Sequence, residues 1–400
     1  MLFRIVCFLI TMTIFPQRLD KYSTHIIKDR AAAIAHSVGS FVKREITLCV
    51  SLAAAVVSCF FVPPQAGYLA YFDWRTLALL YCLMITVSGL CQAGLFSHMA
   101  HSLCMRTKSS RAVGLVLVAL TFFSSMLITN DVALLTFVPF TIIVLSLANC
   151  ERELITILVL QTVAANLGSM LTPVGNPQNL YLHSFYSISN ASFFATTLPV
   201  WLASLACLGA LILLVPSHPI NSDLGKSPQL QKSSLLFYTF LFAVCFLVIF
   251  RVISWPSMMA ITLGALAIRD RKMLLNADFM LLLTFVCFFI FAGNLAHIEA
   301  INTWLHRLLS GHVYAAGLLA SQFISNVPAA LLLSGFTSDS QSLLLGVDIG
   351  GLGTPIASLA SLISLKLYAA SPKAHVWRFL VVFTVVNFVL LALLSLIFAR

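Results

Sequence analysis

Charge is scarce in this sequence. Only 9% of its 400 residues are Asp, Glu, Lys or Arg, whereas 60% are hydrophobic. Soluble globular domains carry about 25% charged residues, so this composition excludes a water-soluble globule. The chain is therefore predicted to be an integral, multi-pass membrane protein whose main partner is the lipid bilayer.

Enzyme and metal motifs are also missing. The sequence contains no HExxH and no GxSxG, and its ten cysteines form no CxxC pair. These absences disfavour a membrane-embedded enzyme, a disulfide framework and a resident metal site, and no cofactor is predicted. The net charge of +10 would suggest nucleic acid in a soluble protein. Here the basic residues follow the sides of a membrane, so no nucleic-acid partner is predicted.

Apolar runs supply the candidate membrane spans. Runs of roughly 17 to 25 apolar residues can cross about 30 Å of hydrocarbon. The predicted spans cover residues 46–62, 74–95, 152–182, 193–215, 235–251, 278–296, 343–367 and 376–399, with a shorter one at 256–268.

Lysine and arginine assign these spans to two sides. Under the positive-inside rule, the cytoplasmic stretches are residues 21–44, 106–111, 152, 226–232, 269–272 and 366–378. The opposite loops, residues 63–73, 183–192, 297–312 and 337–341, contain only Arg307. This division works only if residues 111–150 enter and leave on the cytoplasmic side while residues 312–341 do so on the outer side. The predicted fold is therefore an all-α polytopic membrane protein with two inverted-topology repeats, each containing a re-entrant hairpin and a broken transmembrane helix.

Two similar strings recur in the same order and support these repeats. Thr129-Asn130-Asp131 corresponds to Ser325-Asn326-Val327, and the stretch 166–180 aligns without a gap on 348–362. Proline and several glycines interrupt both later stretches, so each is predicted to be two half-helices around an irregular break. Non-helical backbone at membrane depth lines a cavity or is buried in protein, and paired breaks are typical of transport sites.

This pattern divides the chain into four parts. They are an N-terminal extension at residues 1–44, a first repeat at 45–216, a cytoplasmic linker at 217–233 and a second repeat at 234–400. The extension is predicted either to lie on the cytoplasmic surface or to result from a misplaced start codon.

Two carboxylates fall within the repeated strings. Asp131 follows Asn130, and Asp348 occupies the second break at the position of Asn166 in the first. A carboxylate at membrane depth is costly and indicates function, either by exchanging a proton or by pairing with sodium. The alternative is that each caps the N-terminus of a half-helix. Two anionic groups also disfavour a site built solely for a doubly charged anion, so a neutral or weakly anionic solute moving with a cation is electrostatically easier.

These strings resemble the ion transporter superfamily. The likeness rests on residues 129–134, 165–169, 172–179 and 324–328. It extends to divalent-anion/sodium symporters, arsenite permeases, NhaD-like antiporters and, most of all, YbiR-type inner-membrane permeases.

The resemblance implies secondary active transport of a small inorganic or organic anion, or of a weakly charged oxyanion, coupled to sodium or protons by alternating access. A sodium/proton antiporter or an arsenite-type efflux permease remains the alternative, and a passive channel is less favoured. It also implies the bacterial inner membrane as the location. Homodimers are common in this group, so the resemblance implies that this chain can form one.

Site residues follow from the same resemblance. The implied substrate-binding residues are Thr129, Asn130, Asn176, Ser325, Asn326 and Thr354. The implied cation-coupling residues are Asp131, Asn166, Gly168, Thr172, Asp348 and Gly350, with backbone carbonyls near Gly168, Thr172, Gly350 and Thr354 as ligands. No metal is expected other than a transported or coupling sodium. By the same resemblance, the dicarboxylate symporters have Ser-Asn-Thr at both tips. This chain has Asp131 and Val327 in place of the threonines, which disfavours a dicarboxylate as the substrate.

Overall fold

A computed structural model of the chain describes residues 45–147, 150–219, 229–371 and 374–399. The predicted extension at residues 1–44 and most of the predicted linker lie outside these ranges. Ser51–Arg400 is one compact unit, and residues 45–50 belong to a separate N-terminal unit.

Within the described ranges the chain forms seventeen α-helices, three short 3-10 helices and no β-strand. The α-helices are α1 (Ile46–Phe61), α2 (Trp74–Gln92), α3 (Leu95–Cys104), α4 (Ser110–Ile128), α5 (Asn130–Leu147), α6 (Glu151–Ser169), α7 (Pro177–Phe185), α8 (Asn190–Leu213), α9 (Lys232–Ile249), α10 (Trp255–Arg269), α11 (Phe279–His297), α12 (Glu299–Leu309), α13 (Val313–Ile324), α14 (Asn326–Leu333), α15 (Ser340–Ile349), α16 (Leu359–Ala369) and α17 (Val376–Phe398). The 3-10 helices are Ala66–Tyr71, Arg271–Leu275 and Ser334–Phe336.

Six of the described helices, α2, α4, α8, α9, α11 and α17, are long and apolar enough to cross a membrane. Each has at least 18 residues, which at 1.5 Å per residue reaches about the thickness of the hydrocarbon core. The prediction of an all-α, multi-pass membrane protein is confirmed at this level.

Both predicted helix breaks are present. Helix α6 ends at Ser169 and α7 begins at Pro177, while α15 ends at Ile349 and α16 begins at Leu359. Proline at the first position of α7 suits a helix start, because that residue needs no intrahelical donor. Each break leaves a stretch of irregular backbone between two helices.

The predicted hairpins differ in the length of their arms. Helices α13 and α14 contain 12 and 8 residues, so they reach only about 18 Å and 12 Å and are too short to cross a bilayer. Helices α4 and α5 contain 19 and 18 residues. The two arms of the second predicted hairpin are therefore shorter than those of the first.

Two helices lie where no span was predicted. Helix α3 follows α2 almost directly, and α12 precedes the second hairpin. In α12, Leu305 and Leu309 are buried whereas Trp304 and Leu308 are exposed. This short helix buries one apolar edge against the protein and leaves a second apolar edge open.

The core lies around α6 and the break that follows it. Residues 153–183 are buried throughout except for Thr156, and α6 contacts α4, α5, α8 and α17. In the second half, α15 packs closely against α13. The apolar run around the first break thus faces protein rather than lipid, which places the repeated strings inside the molecule.

Candidate substrate and cation site

The two hairpin tips share one backbone geometry. Thr129 has φ and ψ of 69° and 149°, and Ser325 has 73° and 153°. The next amide in each tip donates to the break of its own half, from Asn130 to the Gly175 carbonyl at 3.2 Å and from Asn326 to the Ala357 carbonyl at 3.0 Å. Each tip is therefore fastened to the corresponding position of a break.

Two threonines fasten the breaks to the first arm of each hairpin. The Thr172 hydroxyl donates to the carbonyl of Met126, and the Thr354 hydroxyl donates to the carbonyl of Gln322 at 2.9 Å. The Thr354 amide also donates to Gln322 Oε1 at 3.0 Å. Both predicted site residues are thus engaged with protein groups.

Glycines permit the close approach of the same elements. A Cβ atom on Gly168 would lie 2.2 Å from the carbonyl oxygen of Phe122, and one on Gly350 would lie 2.9 Å from the Cα atom of Leu318. The carbonyl of Gly168 accepts a bond from Trp201 Nε1 at 3.2 Å, and that of Gly350 accepts one from Gln322 at 2.8 Å. These two predicted cation ligands are already hydrogen-bond acceptors within the protein.

Asn166 joins the first tip to the second break. Its Oδ1 atom accepts from Asn130 Nδ2 at 3.1 Å and from the Ser358 hydroxyl at 2.9 Å. Its Nδ2 atom donates to the Ser361 hydroxyl at 3.3 Å and to the Gly351 carbonyl at 3.4 Å. Both ends of this amide are therefore held by protein partners from the two halves.

The second tip reaches the same place. Asn326 Oδ1 accepts from the Val327 amide at 3.0 Å, just as Asn130 Oδ1 accepts from the Asp131 amide at 2.9 Å. A Cβ atom on Gly351 would lie 2.9 Å from Asn326 Nδ2. Both tip asparagines are 4% exposed. Asn326 lies beside Gly351, whereas Asn130 is linked to the Gly351 carbonyl through Asn166.

Asp348 lies in the last turn of α15 and is 2% exposed. Its Oδ1 atom accepts from Gln178 Nε2 at 3.2 Å, whereas its buried Oδ2 atom has no hydrogen-bond partner in the described ranges. The alternative that Asp348 caps a helix N-terminus is therefore wrong, because the residue sits at the opposite end. The C-terminus of a helix carries partial negative charge, so this carboxylate lacks the support that a cap position would give it.

Further acceptors without partners belong to the first turn of α7. Asn176 Oδ1 and Asn179 Oδ1 are both buried, and neither has a partner among the residues that the structure describes. Gln178, which bonds to Asp348, stands between them, and Asn179 is a further neighbour of that carboxylate. Carboxylate and amide oxygens are ligands that hard cations prefer. Buried oxygen acceptors without partners suit a cation better than an anion.

Asp131 is placed differently. It lies in the first turn of α5, and its Oδ1 atom is buried without a partner in the described part of the chain. Its acidic neighbour Asp278 caps α11 by accepting from the Leu281 amide at 2.9 Å. No hydrogen bond between described residues links the Asp131 side chain to Asp348, Gln178 or Asn179.

Several residues that contact the predicted site were not assigned to it from the sequence. They are Gln178, Gln322, Ser358 and Ser361. A signal existed for Gln322, because a glutamine inside an otherwise apolar helix indicates a specific polar contact.

A separate open cavity of about 730 Å³ lies at the base of the second hairpin. Its lining residues include His306, Ser310, Thr337, Asp339 and Ser342. It contains none of the predicted site residues, so the tips and breaks, rather than this cavity, remain the candidate site.

A protein-family comparison matches residues 33–342 to the family CitMHS, described as "Citrate transporter". The match begins at residue 33, so the last part of the predicted N-terminal extension falls within it.

Individual relatives point the same way. The chain is 32% identical over 312 residues to an uncharacterized transporter of Methanocaldococcus jannaschii, covering 78% of this chain and 85% of that protein. It is 31% identical over 339 residues to the inner membrane protein YbiR of Escherichia coli, covering 80% and 86%. A silicon efflux transporter of Oryza sativa subsp. japonica is 34% identical over 165 residues, covering 41% and 33%. The chain therefore belongs to the CitMHS citrate transporter family of the ion transporter superfamily.

Proposed function

We propose that this chain is a secondary active transporter that moves a small anion or weakly charged oxyanion together with sodium or protons by alternating access. Membership of a transporter family supports transport itself. The observation that carries the coupling is the buried Asp348 carboxylate, whose Oδ2 atom lacks a partner in the described ranges.

A lone buried carboxylate needs a positive partner. Leaving an ionised group without one in a low-dielectric interior costs several kcal/mol, and the C-terminal end of α15 adds an unfavourable field. Sodium bound at the Asp348 carboxylate would remove this cost. A proton on Asp348 would do the same.

The two halves differ in charge at corresponding positions of their breaks. Asn166 stands at the first break where Asp348 stands at the second, and Asn166 is neutral and bonded at both ends of its amide. The first break therefore ties the halves together, whereas the second supplies the negative charge. We place the coupling cation in the second break.

The solute binds between the tips. Asn326 lies beside Gly351, and Asn130 is linked to the Gly351 carbonyl through Asn166. Amide side chains can both donate and accept hydrogen bonds. A multiply charged anion such as citrate, named in the family description, would be repelled by Asp348 unless a cation were bound first. A small inorganic solute meets less repulsion, and the silicon efflux relative supports that class.

Two inverted-topology repeats account for the repeated geometry. The tip conformation, the tip-to-break bond and the threonine-to-arm bond each occur twice with corresponding residues. Short α13 and α14 support a re-entrant second hairpin, and basic residues assign the first hairpin to the cytoplasmic side. The location that fits is the bacterial inner membrane, because the relative YbiR is named an inner membrane protein.

A sodium/proton antiporter or an arsenite-type efflux permease is the second candidate. Asp131, with a buried oxygen lacking a partner among the described residues, gives the chain a second carboxylate that could exchange sodium for protons. In that case no anion would be needed for cation movement.

Purified protein in proteoliposomes separates these functions. Radiolabelled citrate, arsenite, silicic acid and sodium would each be offered under an imposed sodium gradient, an imposed pH gradient and neither. Coupled transport predicts accumulation of one anion or oxyanion above its equilibrium level only with a gradient. Sodium flux driven by a pH gradient without any anion would favour the antiporter, and equilibration unaffected by gradients would indicate a channel and refute the proposal.

A further inference from the structure

Two arginines meet at the end of the molecule where α2 begins and α9 ends. Arg75 Nη2 donates to the carbonyl of Val248 at 2.9 Å, and the same carbonyl accepts the backbone amide of Arg251 at 3.0 Å. The Arg251 guanidinium then reaches across to the carbonyl of Ile188 at 3.2 Å. Two cations from different helices are thus held next to each other.

Arg251 occupies a position that favours glycine. Its φ is +60°, and the amide of Val252 donates to the carbonyl of Leu247 at 2.8 Å. With the Arg251–Val248 bond, this is the Schellman ending of a helix, in which glycine usually takes the left-handed position. An arginine there carries a conformational cost, which a role for its side chain would explain.

Neither guanidinium forms a salt bridge with a described residue, although the Asp73 carboxylate acts on Arg75 from a greater distance. No carboxylate of the described residues lies within 4 Å of either one. Asp73, the acidic residue closest in sequence, directs both carboxylate oxygens to Thr76, at 3.0 Å to its amide and 2.8 Å to its hydroxyl. The nearby imidazole of His183 is buried and bonded to Asn190. Each arginine therefore retains donors for an anion from outside the protein.

The surroundings identify the source of that anion. Trp74 is 49% exposed, Phe250 51%, Val252 67% and Trp255 37%. Tryptophan and other aromatic side chains at the ends of membrane helices lie at the level of the lipid headgroups. Guanidinium groups at that level meet lipid phosphates, which they bind with forked, charge-assisted hydrogen bonds.

We propose that Arg75 and Arg251 form a binding site for the phosphate group of an anionic membrane lipid on the outer side of the molecule. The site is separate from the tips and breaks. Lipid bound there bridges α2 and α9 through its headgroup while its acyl chains cover the exposed aromatic side chains.

The test measures the thermal unfolding midpoint of the full-length protein in detergent during titration with three probes. Phosphatidylglycerol carries the phosphate and the acyl chains, diacylglycerol carries the chains alone, and inorganic phosphate carries the anion alone. The informative variant is Arg251→Gly, because glycine suits the left-handed backbone and keeps the chain folded. Arg307→Gln is the matched control, since it removes an exposed arginine assigned to the same side.

The site predicts that phosphatidylglycerol raises the midpoint of the wild-type protein while diacylglycerol and inorganic phosphate do not. Loss of one guanidinium should raise the half-maximal phosphatidylglycerol concentration about tenfold in Arg251→Gly and leave Arg307→Gln at the wild-type value. An equal response of Arg251→Gly and wild type would overturn the proposal. So would an equal effect of diacylglycerol, or stabilisation by inorganic phosphate alone.

Discussion

Thr129 and Ser325 end α4 and α13 in the same conformation, with φ of 69° and 73° and ψ near 150° in both. Residues other than glycine rarely adopt this region, and each instance costs about 1–3 kcal/mol. Strain of this kind clusters at functional sites. Its presence at both tips supports the assignment of Thr129 and Ser325 to the transport site.

Replacing either residue with glycine should remove the strain. We expect Thr129→Gly and Ser325→Gly to raise the free energy of unfolding by about 1 kcal/mol or more and to reduce solute uptake, since each loses a hydroxyl at the site. Ser187→Gly is the control, because Ser187 also has positive φ, at 52°, but lies outside the site. Thermal unfolding and uptake would be compared, and unchanged uptake in both tip variants would remove their hydroxyls from the mechanism.

Asp348→Asn tests the coupling cation. Asparagine keeps an oxygen that can accept from Gln178, so the fold should persist while the negative charge is lost. We expect the apparent affinity for the coupling cation to fall at least about tenfold and uptake to lose its dependence on the gradient. Asp339→Asn is the control, because Asp339 caps the same helix through the Ser342 amide and asparagine is an equally good cap. Gradient-dependent uptake of normal size in Asp348→Asn would show that this carboxylate does not couple.

Asp131→Asn separates function from helix support in the first half. If Asp131 binds a cation or proton, the dependence of transport on sodium or pH should shift in this variant. Asp339→Asn should leave that dependence unchanged, because Asp339 caps α15 through the Ser342 amide and is not among the charged groups that act on Asp131. Uptake of both variants and of the wild type would be titrated against sodium and pH. A profile of Asp131→Asn identical to that of the wild type would leave Asp131 with only a local role at the start of α5.

Gly168→Ala tests the close packing of the first break. Its Cβ atom would lie 2.2 Å from the backbone carbonyl oxygen of Phe122, which cannot move away without displacing α4. We expect a lower unfolding midpoint and less folded protein in the membrane. Gly209→Ala provides the contrast, since a Cβ atom there meets nothing within 4 Å and alanine favours a helix by about 1 kcal/mol. Equal stability of the two variants would contradict the packing described here.

The sequence predicted the breaks and tips because their signals are local. Proline and glycine interrupt a helix wherever they fall, so α6 and α15 end close to Thr172 and Thr354 as expected. Apolar length likewise predicted most of the long helices. Helix α12 was not predicted because it is short and polar residues interrupt its apolar ones, so it contains no apolar run long enough for a membrane span.

Pairing across the two halves could not be predicted from sequence in the same way. The bond from Gln178 to Asp348 and those from Ser358 and Ser361 to Asn166 depend on how distant helices pack. The end of α15 also depends on these packing contacts, so the sequence alone could not exclude a capping role for Asp348. The backbone carbonyls of Gly168 and Gly350 were predicted as cation ligands, but Trp201 and Gln322 donate to them.

Accessibility of the two tips tests alternating access most directly. Single cysteines would replace Asn130 and Asn326 in a chain whose ten native cysteines are changed to serine or alanine, with a cysteine at Ser338 as an exposed control. Both asparagines are 4% exposed in this conformation, so reaction with a membrane-impermeant maleimide requires the proposed movement. We predict that each tip cysteine reacts from an aqueous side and that a saturating coupling cation changes its rate. Tip cysteines that stay inert from both sides, while the Ser338 position reacts, would contradict the account.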